Sequence, residues 1–159
     1  MRAGVIALLW VGIAFGQATS PEELFHEAVA AQQRGDMGAA IRDYQELVRL
    51  HPEVIEVRAN LGAALAHEGR FDEAIEQYQA ALVLSPANAG LQVNLALAYY
   101  KKQNWAAAAR RFEPLHQKQP GDARVTTLLG ECYSRLGRDT EAIALLTPAV
   151  AAHPSDLGL

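Results

Sequence analysis

Cysteine is nearly missing from this chain. Cys132 stands alone, which rules out an intramolecular disulfide, and no Cys/His spacing of the kind that holds a metal ion is present. Positive charge is also in short supply, with 14 Lys and Arg against 18 Asp and Glu for a formal charge of −4. Phosphate backbones demand a net basic footprint, and no basic stripe makes up for the deficit, so nucleic acid is excluded as the main partner. Aromatic residues make up only 7% of the chain, and the five histidines, His26, His51, His67, His116 and His153, form no triad with Ser and Asp. Nucleophilic catalysis therefore has no visible constellation, and neither a catalytic site, a metal nor a cofactor is expected. Half of the residues are nonetheless hydrophobic, and 159 residues suffice for one substantial core.

The apolar run from about Gly4 to Phe15 is too short to span a bilayer, which takes about 20 residues. Arg2 precedes it and small residues follow it, the layout of a secretory signal peptide over residues 1–18. Ala14 with Gly16, or Gly16 with Ala18, fits the cleavage rule, leaving either Gln17 or Thr19 first. No Cys follows the run, so lipid attachment at the cleavage point is closed. Removal of Arg2 with this leader leaves 13 basic and 18 acidic residues, a net of −5, in an exported, periplasmic or secreted chain.

Proline is sparse, but its placement is regular. Pro52, Pro86, Pro120 and Pro154 recur every 34 residues, so that the chain divides into blocks 21–54, 55–88, 89–122 and 123–156 and a tail, 157–159. Ala40, Ala74, Ala108 and Ala142 share one place in the block, and Tyr44, Tyr78, Phe112 and Leu146 another. Gly35, Gly69 and Gly137 share a third, where Gln103 is the exception. A period of this size signals stacked supersecondary units, none able to bury its apolar face alone. Glycine suits the end of a first helix, where a left-handed residue satisfies loose carbonyls. Ala28, Gly62, Ala96 and Gly130 are small where the two helices of a unit approach. Proline then ends the second helix and aims the next hairpin. Pro114 and Pro148 fall inside second helices, where they predict local bends. Cys132 aligns with Ala30, Ala64 and Ala98 and is expected to be a small core residue.

In the second block the recurring places read Leu61, Gly62, Leu65, Ala74, Tyr78, Pro86; in the third Leu95, Ala96, Tyr99, Ala108, Phe112, Pro120; in the fourth Leu129, Gly130, Tyr133, Ala142, Leu146, Pro154. This pattern resembles the tetratricopeptide repeat family over residues 21–156. The resemblance implies an all-α solenoid of four helix-turn-helix units forming a right-handed superhelix. It also implies a concave face, lined by first helices, that binds a peptide or protein segment, and it implies no catalysis. In this register the groove positions include Phe25, His26, Val29, Ala63, His67 and Leu97. The principal candidates are Asn60, Asn94, Tyr100, Lys101, Arg124, Glu131 and Arg135. Asn60 and Asn94 share one place in consecutive units, where family members hold a ligand backbone through an amide that both donates and accepts. Lys101, Arg124 and Arg135 are suited to a carboxylate. Phe25 and Val29 stand where relatives that clamp the carboxylate tail of chaperones carry Lys and Asn, which speaks against that partner class.

Charge is divided unevenly, with 5 basic and 12 acidic residues in 21–88 against 8 and 6 in 89–156. The stretch Ala142 to Ala152 carries no charge at all. Solenoids end in a polar cap, so an apolar last helix is expected to be covered by a second copy, by another protein, or by further sequence of a longer enzyme or receptor. A structural subunit that forms a homo-oligomer through this helix is therefore the alternative to a groove-binding scaffold.

Overall fold

The computed structural model describes residues 20–152, with side chains described as far as Pro148. The leader assigned to residues 1–18, together with His153, Pro154 and the 157–159 tail, lies outside the described residues. Eight helices follow one another: α1 Pro21–Gln33, α2 Met37–Leu50, α3 Ile55–His67, α4 Phe71–Leu84, α5 Ala89–Lys101, α6 Trp105–Lys118, α7 Ala123–Arg135 and α8 Asp139–Ala152. No strand occurs among the described residues. Each helix packs on the helix before it and the helix after it, and α3 also meets α5. That is the contact pattern of a solenoid, in which units touch only their neighbours.

Local sequence starts and stops these helices. Ser20 caps α1 in a reciprocal box: its hydroxyl accepts from the Glu23 backbone N–H at 3.2 Å, and the Glu23 carboxylate accepts from the Ser20 backbone N–H at 2.9 Å. Asp36, Asn88, Asn104 and Asp122 cap α2, α5, α6 and α7 with side-chain oxygens. At the other ends, His51, Ser85 and Gln119 leave the helical region with ψ of 68, 78 and 77°. Each directly precedes one of the periodic prolines, whose ring denies the preceding residue the α region. The prolines thus act through the residue before them, and the helices close two residues earlier than the rings themselves. Helices α6 and α8 continue through Pro114 and Pro148.

The helix reversals need a positive φ, and Gly35, Gly69 and Gly137 adopt values of 80, 74 and 71°. Gln103 takes the same conformation at φ 61°, at a steric cost to its Cβ. Gln103→Gly is expected to raise stability by about 1 kcal/mol, measurable as a higher urea midpoint at unchanged slope. No gain would mean that the Gln103 side chain makes a compensating contact.

The core follows the repeat. Tyr44 and Phe112 are wholly buried, as are Ala28, Ala40, Ala74, Ala96 and Ala108 at the close helix approaches. A first cluster runs from α1 to α5 and a second gathers Ala96, Ala108, Ala109, Phe112, Val125, Leu129 and Cys132, with Tyr99 packed against both. Polar links between units repeat at the same period. The Gln79 amide donates to the Tyr99 hydroxyl at 3.0 Å, and one unit later the Tyr133 hydroxyl donates to the Glu113 carboxylate at 3.1 Å. Arg58 and Gln92 likewise donate to the carbonyls of Pro52 and Pro86, both at 2.7 Å, fixing the angle between hairpins.

Candidate functional site

First helices α1, α3, α5 and α7 carry all of the positions nominated above, and the structure sorts these into three settings. The first is a groove of about 510 Å³ between α3, α4 and α5, lined by Ala63, Ala66, His67, Phe71, Tyr78, Asn94, Leu97, Ala98 and Lys101. It unites Asn94 and Lys101 with Ala63, His67 and Leu97. The second is a polar and aromatic cluster where α5, α6 and α7 meet. There the Tyr100 hydroxyl donates to the Glu131 carboxylate at 2.5 Å, the Tyr100 and Trp105 rings stand edge to face at 5.3 Å, and Arg135 lies 5.6 Å over the Trp105 ring while donating weakly to Glu131 at 3.5 Å. Cation–π placement of this kind fixes an otherwise mobile Arg.

The third setting is structural. The Tyr44 hydroxyl donates to the Gln32 side-chain carbonyl at 3.0 Å. Burial pushes that hydroxyl above its ordinary pKa, and the Asn60 side chain, acting on the same hydroxyl, partly offsets the shift. Asn60 thus stands near the Tyr44 hydroxyl, while its counterpart Asn94 lines the groove. Arg124 is exposed and has no hydrogen bond or ion pair among the described residues, so it joins none of these settings. Phe25 and His26 line a separate, smaller cavity of about 300 Å³ with Leu47, His51, Val54 and Val57.

Electrostatics separates anchors from free groups. Tyr100 is pushed up to about 12 by burial and then by its bond to Glu131, so it remains a donor throughout the physiological range. Cys132 is pushed up to about 11, mainly by burial, which keeps it a thiol. Arg138 lies 4.0 Å over the Tyr133 ring, pairs with Glu141 at 2.5 Å and approaches Glu113 at 3.6 Å, and so ties α8 to α6 and α7. No cluster of three or more His, Cys, Asp or Glu with metal-binding geometry occurs among the described residues. No helix among them is long and apolar enough to cross a membrane.

Sequence reasoning overlooked Ala66, Phe71, Tyr78 and Trp105. Tyr78 belongs to the first core cluster and also lines the groove. A signal did exist for Ala66: its place is held by Gln32 one unit earlier and by Tyr100 one unit later, and a small residue between two large ones on a repeated wall marks a hollow.

Comparison with known proteins agrees with this architecture. Residues 31–82 and 93–156 each match the tetratricopeptide repeat, and residues 65–103 match a TPR repeat. The BBSome complex member BBS4 homolog of Drosophila melanogaster is 27% identical over 130 residues, covering 82% of this chain and 27% of that protein. The small glutamine-rich tetratricopeptide repeat-containing protein 2 of Mycosarcoma maydis is 33% identical over 88 residues, covering 52% of this chain and 25% of that protein. The chain thus spans about a quarter of the length of these curated relatives. Among solved structures, MamA from Desulfovibrio magneticus RS-1 superimposes with a TM-score of 0.76 at 20% identity, over 88% of this chain and 79% of that one. Four stacked helical hairpins, with matches that run from residue 31 to residue 156, establish that the chain belongs to the tetratricopeptide repeat family.

Proposed function

We propose that the chain is an exported, non-enzymatic scaffold that holds an extended peptide or protein segment against the concave wall of its first helices. Membership in a family of protein-interaction repeats supports the coarse part of this reading. The observation that carries the rest is the groove between α3 and α5, where Asn94 and Lys101 stand beside apolar Ala63, Leu97 and Phe71. An apolar trough with a few convergent polar groups is the usual form of a recognition site. Export rests on the leader pattern of residues 1–18 and places the partner in the cell envelope or outside it.

The test is site-specific photocrosslinking in the native envelope, with the probe placed at Leu97 on the wall or at Gln45 on the outer side of α2. Capture of one partner from Leu97 alone, with a yield that falls in Asn94→Ala, is the expected result. Capture from Gln45 alone would reject the concave wall as the binding face. Self-association through α8 is a second reading, favoured by Ile143, which is 65% exposed beside half-buried Leu145 and Leu146. It requires crosslinks from Ile143 to a second copy of the chain.

A further inference from the structure

One residue sets the groove between α3 and α5 apart from the equivalent places in the neighbouring units. At the equivalent place one unit earlier, Gln32 extends its carboxamide to the Tyr44 hydroxyl at 3.0 Å. One unit later, the Tyr100 ring fills the space and its hydroxyl turns to Glu131 at 2.5 Å. Between them stands Ala66, too short to do either, and it lines the groove of about 510 Å³.

Beside Ala66, Tyr78 has lost the partner that Tyr44 has. Tyr78 is only 3% exposed, and its hydroxyl makes no hydrogen bond among the described residues, although every sealed side-chain polar atom among them is satisfied. The hydroxyl must therefore open onto the groove, in keeping with Tyr78 as one of its lining residues. Asn94, the counterpart of Asn60, lines the same space and likewise has no hydrogen-bond partner among the described residues. The groove thus presents an unpaired hydroxyl and an unpaired amide in an otherwise apolar wall, two groups that a polar occupant can pair with.

We propose that this hollow receives a glutamine side chain from an extended partner segment, its carboxamide taking beside Tyr78 the place that Gln32 takes beside Tyr44. This rests on the reading of the wall of first helices as the peptide-binding face. The chain itself supplies the template, since the same fold one unit earlier fills the same space with that side chain and satisfies the same hydroxyl. A carboxamide offers an acceptor to the Tyr78 hydroxyl and a donor and an acceptor to the Asn94 amide, using both halves of each group. A leucine of similar length leaves the hydroxyl and the amide unpaired. A glutamate would bring an acceptor-only charge into a site walled by Ala63, Ala66, Phe71, Leu97 and Ala98, where its desolvation is expensive. Lys101 lines the same groove, is exposed, and makes no ion pair among the described residues, so it remains available to a partner residue flanking the glutamine.

The test pans phage-displayed random octapeptides against the full chain and repeats the panning with Ala66→Gln, which refills the hollow from within. Enriched peptides should share a glutamine, and Ala66→Gln should abolish their binding. Synthetic copies with that glutamine changed to glutamate or leucine should bind on the order of tenfold more weakly, as should the parent peptide to Tyr78→Phe. Tyr78→Phe keeps the ring and removes only the hydroxyl, so it decides the matter if Ala66→Gln fails to fold by circular dichroism. Peptides that share an acidic or apolar residue instead, or that bind Ala66→Gln as well as the parent, overturn the glutamine pocket and leave the peptide-binding wall standing. If no peptide is enriched, both are overturned.

Discussion

Phe112→Ala is expected to remove about 3–5 kcal/mol of stability, the range for truncating a fully buried aromatic ring. Phe112 has no exposed surface and sits at the centre of the second core cluster, ringed by Ala96, Ala108, Ala109, Val125 and Leu129. Three of these neighbours are alanines fixed on helix backbones, so little can move in to fill the cavity. The loss should also be local. Since each helix packs chiefly on its sequence neighbours, a solenoid's stability is a sum of unit and interface terms, and damage to one interface need not spread. Hydrogen exchange should therefore lose protection in α5 to α8 while α1 to α3 keep theirs, and the urea transition should broaden or split. A single transition shifted as a whole, with protection lost evenly, would show that Tyr99, packed against both clusters, couples the halves into one cooperative block.

Much of this fold is legible in the sequence because the repeat supplies four observations of each place. One small residue at Ala28 says little, but Ala28, Gly62, Ala96 and Gly130 together locate a helix contact, and the structure puts Tyr78 and Leu146 against the two glycines. The same periodicity hides what differs between units. Pattern reasoning groups Asn60 with Asn94, although Asn60 stands near the Tyr44 hydroxyl while Asn94 lines an open groove. What separates them is Gln32 against Ala66, each twelve residues before its tyrosine, Tyr44 or Tyr78, a relation that appears only once the helices are packed. Tyr100, Glu131 and Arg135 were nominated one by one from their register, yet only the structure shows them joined through Trp105, with Arg124 left apart. Surface chemistry here depends on departures from the repeat, and the core depends on the repeat itself.

Gly62→Leu is expected to destabilise the chain by about 3 kcal/mol, at the upper end of the usual cost of overpacking a close-packed interior. A Cβ at Gly62 would lie 2.6 Å from the nearest Tyr78 ring carbon, and that ring is held between α3, α4 and α5 with 3% of its surface exposed. Gly62→Ala is the control. Ala28 and Ala96 occupy the same place opposite Tyr44 and Phe112, which shows that the interface accepts one methyl group if the ring shifts slightly. The strain of that shift is offset by about 1 kcal/mol of helix propensity gained over glycine, so the Ala variant should melt close to the parent. A leucine has no such room, and it pushes Tyr78 toward the groove that this ring lines beside Ala66. Thermal melts of the two variants against the parent measure the difference. The matching change at Gly130 should cost less, because the atoms it meets belong to Leu146 on α8, a flexible and only half-buried side chain. Equal melting of Gly62→Leu and Gly62→Ala would mean that Tyr78 swings out into the groove at no cost, and that the hollow behind Ala66 is relief volume for the core rather than a place kept for a ligand.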